Sequence, residues 1–377
     1  MIPGLDGLRA IAFLLVFALH TEYLQIGWVG VQLFFVLSGF LITDILLKMK
    51  DSLPVGKYFL NFYGRRFLRI FPLYYIYLLL MTVLTGWFIS IGFRPILMKV
   101  FQDQVGYAYL YVYDFFSALE SFKGSWFLDH LWSLSIEEQF YIVWPLLILL
   151  TPEKALKKLF VAFIILGPLF RLAVFFLHRL PMFSFLQDPI SLAVYTLPFS
   201  HIDAFAFGAY ITRFHIPRAK QQCWAILFLI PLIGYGTHYA ATGTPGLLLA
   251  FGYPVTMPDA FQYLWAYSLM NYFFMIIIYC VVREQVFLSF LESKPLQFLG
   301  RISYGLYVYH FPSVWFAFRI RDLGVDERLV KPLVALLAFA GTFTLAVLSY
   351  YIMERPIISL KDRFFSLKSH PSIEREV

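Results

Sequence analysis

Charge is scarce in this 377-residue chain: Asp, Glu, Lys and Arg together make up 14% of it, against about 25% in soluble domains. So small a share excludes a surface wetted on all sides and, with so many apolar residues, an intrinsically disordered chain. Cysteine is nearly missing, with only Cys223 and Cys280, which argues against a secreted disulfide scaffold. There is no internal repeat, no low-complexity tract and no soluble domain. Instead the chain is 60% hydrophobic and 20% aromatic, with 43 Phe and 25 Tyr. This is the composition of a polytopic membrane protein whose main partner is the lipid bilayer. The net charge of +7 would suggest nucleic acid in a soluble chain. Here the basic residues sit in short loops between apolar runs and read as membrane orientation, with no nucleic-acid partner.

A helix needs about 20 mostly apolar residues to cross ~30 Å of hydrocarbon. Ten segments have roughly that length, near 8–24, 28–47, 70–92, 131–150, 159–177, 198–214, 223–239, 263–282, 302–318 and 332–353. The expected fold is therefore all-α, a membrane bundle of about ten transmembrane helices, with an even number of spans. The first segment has no small-residue cleavage site and reads as a retained helix. With both termini cytoplasmic, 21 of the 30 Lys and Arg fall on the inner side, as the positive-inside rule requires. That topology places both cysteines near the reducing cytoplasmic face. The connections 93–130 and 240–262 exceed turn length, and the first is rich in rings suited to the membrane interface. Residues 1–356 form one membrane domain and 357–377 a short cytoplasmic tail.

An ionisable group at mid-bilayer costs about 2.5–3.5 kcal/mol on insertion scales, so such residues are functional candidates by default. His20, Glu137, Glu138, Arg171, Asp203 and His310 lie within spans, with Arg9 nearer the inner surface. Arg9 and His20 are eleven residues apart, about three helical turns. They therefore share a helix face and differ in depth by roughly 16 Å. Glu137 and Glu138 lie about 10 Å in from the start of their span and His310 about 12 Å into its own, so these groups can share His20's level. One end of the first helix could hold the charged end of a long ligand while the other meets its reactive end.

Before the third span, Arg66 and Arg69 are three residues apart on one helix face at the cytoplasmic mouth, and guanidinium forks suit phosphate. For a basic loop alone, membrane orientation is the plainer reading, as a packed bundle histidine is for His20. The stretch 131–141, LWSLSIEEQFY, could be a polar interhelical network or could supply a carboxylate that orients a histidine. His201 and Asp203 are compatible with acceptor contacts. Arg171 has no partner nameable from sequence, and no ligand cluster suggests a metal.

These residues resemble the acyltransferase 3 family of integral membrane O-acyltransferases, typified by bacterial enzymes that acetylate surface polysaccharides. Gly4 to His20 is similar to the family's opening Arg-x10-His, and Phe34 to Ile42 to its second helix. Arg66-Phe67-Leu68-Arg69 is similar to Arg-x-x-Arg, Leu131 to Tyr141 to Leu-Trp-Ser-Leu-x-x-Glu-Glu-Gln-Phe-Tyr, and Ser303 to Pro312 to Ser-Tyr-x-x-Tyr-x-x-His-x-Pro. Glu284 and Pro295 fit a Glu-x10-Pro spacing. Together these cover residues 3 to about 356.

The resemblance implies a bacterial inner-membrane enzyme. It also implies an acyl-CoA donor, with acetyl-CoA the expected one, its phosphates on Arg9, Arg66 and Arg69 and its thioester near His20. Some members carry an extra extracytoplasmic domain. None is expected here, so the acyl group would be delivered directly or handed to a separate periplasmic acceptor protein.

His20 would deprotonate an acceptor hydroxyl or take the acyl group first, with Glu137 holding its tautomer. Glu138, Asp203 and His310 are candidates for contact with the carbohydrate acceptor. That acceptor is left open among lipopolysaccharide, capsule or exopolysaccharide sugars, peptidoglycan, a periplasmic glucan and a small molecule. A transporter is the first rival, without the repeats or broken helix pairs such proteins often show. A lipid-linked-sugar glycosyltransferase is the second, with a first outer loop too short for the usual acidic motif.

Overall fold

The computed structural model describes residues 2–365 apart from Pro245 and Leu247, so the tail expected over 357–377 lies outside the described residues beyond 365. The described residues fold into sixteen α-helices. These are α1 Leu5–His20, α2 Val29–Ser52, α3 Val55–Ser90, α4 Pro95–Tyr109, α5 Tyr113–Ser117, α6 Leu131–Leu150, α7 Leu156–Leu177 and α8 Ile190–Thr196, followed by α9 Ile202–Tyr210, α10 Ala219–Thr242, α11 Gln262–Glu284, α12 Leu288–Leu291, α13 Lys294–Arg301, α14 Ser303–Ala317, α15 Glu327–Ser349 and α16 Arg355–Phe364. A single isolated bridge, Leu119 to Leu186, is the only β pairing among them.

Each of the ten apolar segments contains a helix, but seven helices are long and apolar enough to cross a membrane, or eight counting one bent pair. Three segments, those of α9, α1 and α14, account for the difference. The segment expected at 198–214 is the nine-residue α9, preceded by α8 at a bend of 73°. Pro198 follows Leu197, which has extended backbone at φ −70° and ψ 133°, because proline disfavours the helical region for the residue before it. α1 and α14, of 16 and 15 residues, are short for a span. Both are enclosed by other helices: Ala10, Ala12 and Phe13 of α1 are fully buried, as are Leu306, Val308 and Val314 of α14. In addition, α3 begins at Val55, fifteen residues before the span read from sequence, because no proline interrupts the run to Ile70. At 1.5 Å per residue its 36 residues reach about 54 Å, well beyond the hydrocarbon. Arg66 and Arg69 therefore ride on a continuous helix.

Small residues hold the bundle tight around this core. A Cβ at Gly39 of α2 would overlap the backbone of Phe205, and one at Gly208 of α9 the backbone of Val36. The two helices thus meet at backbone contact from both sides, as small residues allow in membranes. The connection after α10 also packs inward: Trp28 donates to the Tyr253 carbonyl at 3.1 Å, and the Tyr253 hydroxyl donates to the Ile230 carbonyl at 3.0 Å.

Candidate functional site

α1 carries both ends of the site. Arg9 lies near its start, paired with Asp6 at 2.8 Å, and His20 is its last residue. Arg9 opens into a cavity that α3 lines with Arg66 and Arg69 and α6 with Glu137 and Glu138. The Arg66 guanidinium lies 5.0 Å above the Tyr141 ring centroid, a cation–π contact that leaves its N–H groups for other partners. The arginines predicted as an anion clamp are thus brought together in space, with two carboxylates beside them.

His20 faces a second cavity of about 420 Å³, lined also by Trp28, Trp126, Asp129, His130, Trp132, Tyr195 and Phe311. The two cavities share Val31 and Tyr307. Between them the hydroxyls of Tyr307 and Ser133 are paired at 2.5 Å. Burial in the connection before α6 pushes the Asp129 carboxyl up to about 7, opposed by hydrogen bonds from the Ser125 N–H and the Tyr113 hydroxyl.

These contacts place the remaining predicted residues differently from the sequence expectation. The side chain meeting His20 is His310, with Nε2 3.1 Å from His20 Nδ1. Glu137 instead accepts from the hydroxyls of Ser38 and Tyr141 in the basic cavity, so it does not hold the His20 tautomer. Glu138 lines that same cavity, away from the histidines. Asp203 is consumed elsewhere: its carboxylate pairs with Arg171 at 3.1 Å, both side chains fully buried, and accepts from Ser268 at 2.6 Å and Asn271 at 3.3 Å. It borders neither cavity, and a charge at that depth needs these partners to persist. His201 is similarly occupied, by Gln32 at 2.9 Å and the Tyr195 carbonyl at 3.0 Å. Glu284 pairs with Lys220 at 3.4 Å at the end of α11.

The histidine cluster has a third member that sequence reasoning missed. His130, immediately before the LWSLSIEEQFY stretch, is buried and stacks on Phe311 at 4.8 Å with its ring 5.3 Å from that of His310. Its nearness to that stretch was a usable signal. The α14 backbone settles which nitrogens carry protons. A carbonyl oxygen only accepts, so His310 Nδ1, 2.5 Å from the Tyr307 carbonyl, bears the hydrogen. With the rings neutral, His310 Nε2 is then an acceptor, His20 Nδ1–H donates to it, and His20 Nε2 is left with a bare lone pair. Pro312, inside α14, has no N–H, so the Val308 carbonyl four residues earlier lacks its helical partner. His130 Nε2 donates to that carbonyl at 3.0 Å, and His130 Nδ1 is buried with no hydrogen-bond partner. Among the described residues no His, Cys, Asp and Glu group could hold a metal.

A cationic pocket thus adjoins a cavity edged by imidazole nitrogens in the interior of a membrane bundle. The chain belongs to the acyltransferase 3 family, whose acyltransferase domain matches residues 2–351. It is 29% identical over 376 residues to the peptidoglycan O-acetyltransferase OatA of Listeria monocytogenes, covering 94% of this chain and 56% of that protein. It is 28% identical over 374 residues to the O-acetyltransferase OatA of Staphylococcus aureus, covering 94% of this chain and 57% of that one. The chain thus spans just over half the length of these relatives. No solved structure matches it. It is a multi-pass bacterial membrane protein.

Proposed function

We propose that this protein is a membrane O-acetyltransferase that moves acetyl from cytoplasmic acetyl-CoA to a hydroxyl of a cell-wall carbohydrate of the peptidoglycan type. One observation carries the reading: Arg9 and His20 stand on one helix, the first in a basic pocket with Arg66 and Arg69, the second in another cavity that adjoins it at Val31 and Tyr307. The arginines suit the phosphates of an elongated donor entering at the positively charged membrane face. The bare Nε2 of His20 suits attack on a thioester carbonyl or removal of a hydroxyl proton. Burial away from water limits loss of the acyl group to hydrolysis. The relatives' names support the acetyl group and the acceptor class.

The test uses purified protein in lipid nanodiscs with [14C]acetyl-CoA and a muropeptide mixture, following thiol release and label on saccharide. Wild type is expected to do both. His20→Ala is expected to lower both by about 10³-fold or more, the combined scale of nucleophile and base losses. Undiminished product from His20→Ala removes that residue from the chemistry. A wild type that releases no thiol overturns the donor assignment.

A further inference from the structure

We infer that the cavity beside His20 is the acceptor site and that His130 is the base that takes the acceptor hydroxyl's proton, leaving His20 to carry the acyl group. This rests on the acetyl-transfer reading above. The cavity adjoins the basic pocket and is bordered by Trp126, Trp132 and Tyr195. Trp126 is 38% exposed, which places it at the rim. Large rings with polar edges suit a ligand that has flat apolar faces and many hydroxyls, as a pyranose does. Asp129 adds a carboxyl that is hydrogen-bonded to the Tyr113 hydroxyl at 3.0 Å.

His130 is built as a base. Its Nε2–H is held by the carbonyl that Pro312 frees, its ring is clamped against Phe311, and Nδ1 is left bare and unpartnered. An unpaired acceptor buried in a fold is costly, and a donor hydroxyl from a bound sugar would satisfy it. His20 has its own bare nitrogen, Nε2, because His310 accepts from its Nδ1–H. Acyl carrier and hydroxyl base are separate tasks in a two-step transfer, and two prepared imidazoles border the same cavity.

In the first step His20 Nε2 attacks the thioester carbonyl. The C–N bond forms, the C–S bond breaks, and the CoA thiolate departs from an acyl-imidazolium. In the second step the acceptor oxygen attacks the same carbonyl, the C–N bond breaks, and His20 Nε2 recovers its lone pair. The hydroxyl proton passes to His130 Nδ1 and then to the thiolate or the medium, so charge and protons balance.

The experiment is a rapid-quench single turnover in nanodiscs with [14C]acetyl-CoA, with and without muropeptides, comparing wild type and His130→Gln. The Gln amide N–H can still donate to the Val308 carbonyl, but Gln offers no base. Saccharide labelling by the variant should fall on the order of 10²–10⁴-fold, with one equivalent of thiol released and the label retained on protein. That stoichiometric release doubles as a measure of the folded fraction. Saccharide labelling within threefold of wild type, or equal loss of thiol release and labelling, overturns the assignment to His130. A wild type that releases no thiol overturns the acetyl-transfer reading and this proposal with it.

Discussion

The two cavities work by different physics. At the basic end, Arg9, Arg66 and Arg69 are cationic by residue type, and the fold needs only to bring them around one cavity. At the other end, His20, His130 and His310 differ only in which nitrogen holds a proton, and that is dictated by two carbonyls of α14. Charge recognition is thus a property of residue type and spacing. Imidazole chemistry here is a property of the partner each ring meets.

The most severe way to break this contrast is to remove the partner while leaving His20 in place. His310→Ala is expected to lower turnover about 10²-fold with little change in KM, because His20 loses the group that holds its tautomer and orientation. His310→Gln, whose amide oxygen stands near the place of Nε2 and can accept from His20 Nδ1–H, should recover most of the loss. Equal damage from both variants, read as kcat and KM for acetyl-CoA, would mean that His310 only fills space. Next in size, Arg69→Ala is expected to raise KM for acetyl-CoA about tenfold or more while kcat changes little, and the defect should grow less visible at high salt. A kcat defect at unchanged KM would place Arg69 in the chemistry and dissolve the division between the two cavities.

Asp203→Asn sharpens the comparison from outside. It removes the charge facing buried Arg171, so the folded protein should lose about 3–5 kcal/mol of stability, seen as a lower thermal transition in detergent. KM and turnover per folded molecule should stay within twofold. The most gradual effect concerns Asp129. Its folded pKa of about 7 lies above the ordinary carboxyl value near 4. The folded segment therefore binds more protons than the open one between those values, and its stability falls as pH rises from about 4 to 7, then levels off. Hydrogen exchange across 118–130, corrected for intrinsic rates, should show opening that increases by at most about tenfold per pH unit over that window. Asp129→Asn should flatten the slope.

Much of this site was readable before any coordinates. The eleven-residue spacing of Arg9 and His20, the Arg66/Arg69 pair and the intramembrane His310 each stood out because ionisable groups are rare in such a chain. For α1, the separation of Arg9 and His20 follows from helix geometry alone. Other features were not readable. Glu137 looked like the histidine's carboxylate, yet its helix turns it to Ser38 and Tyr141. Asp203 looked accessible at the start of a span, but the bend between α8 and α9 turns it onto Arg171. His130 passed unnoticed because it precedes its helix and owes its role to Val308, far along the chain.

The sequence by itself determined the solvent of this protein, its helical class and where its fixed charges fall along each helix, since apolar length and 3.6-residue periodicity are local properties. Only the tertiary structure decided which side chains face each other and which imidazole nitrogens are left without a proton. Apart from the His310–Tyr307 contact inside α14, those depend on groups brought within about 3 Å from other parts of the chain, and no local spacing specifies such a meeting.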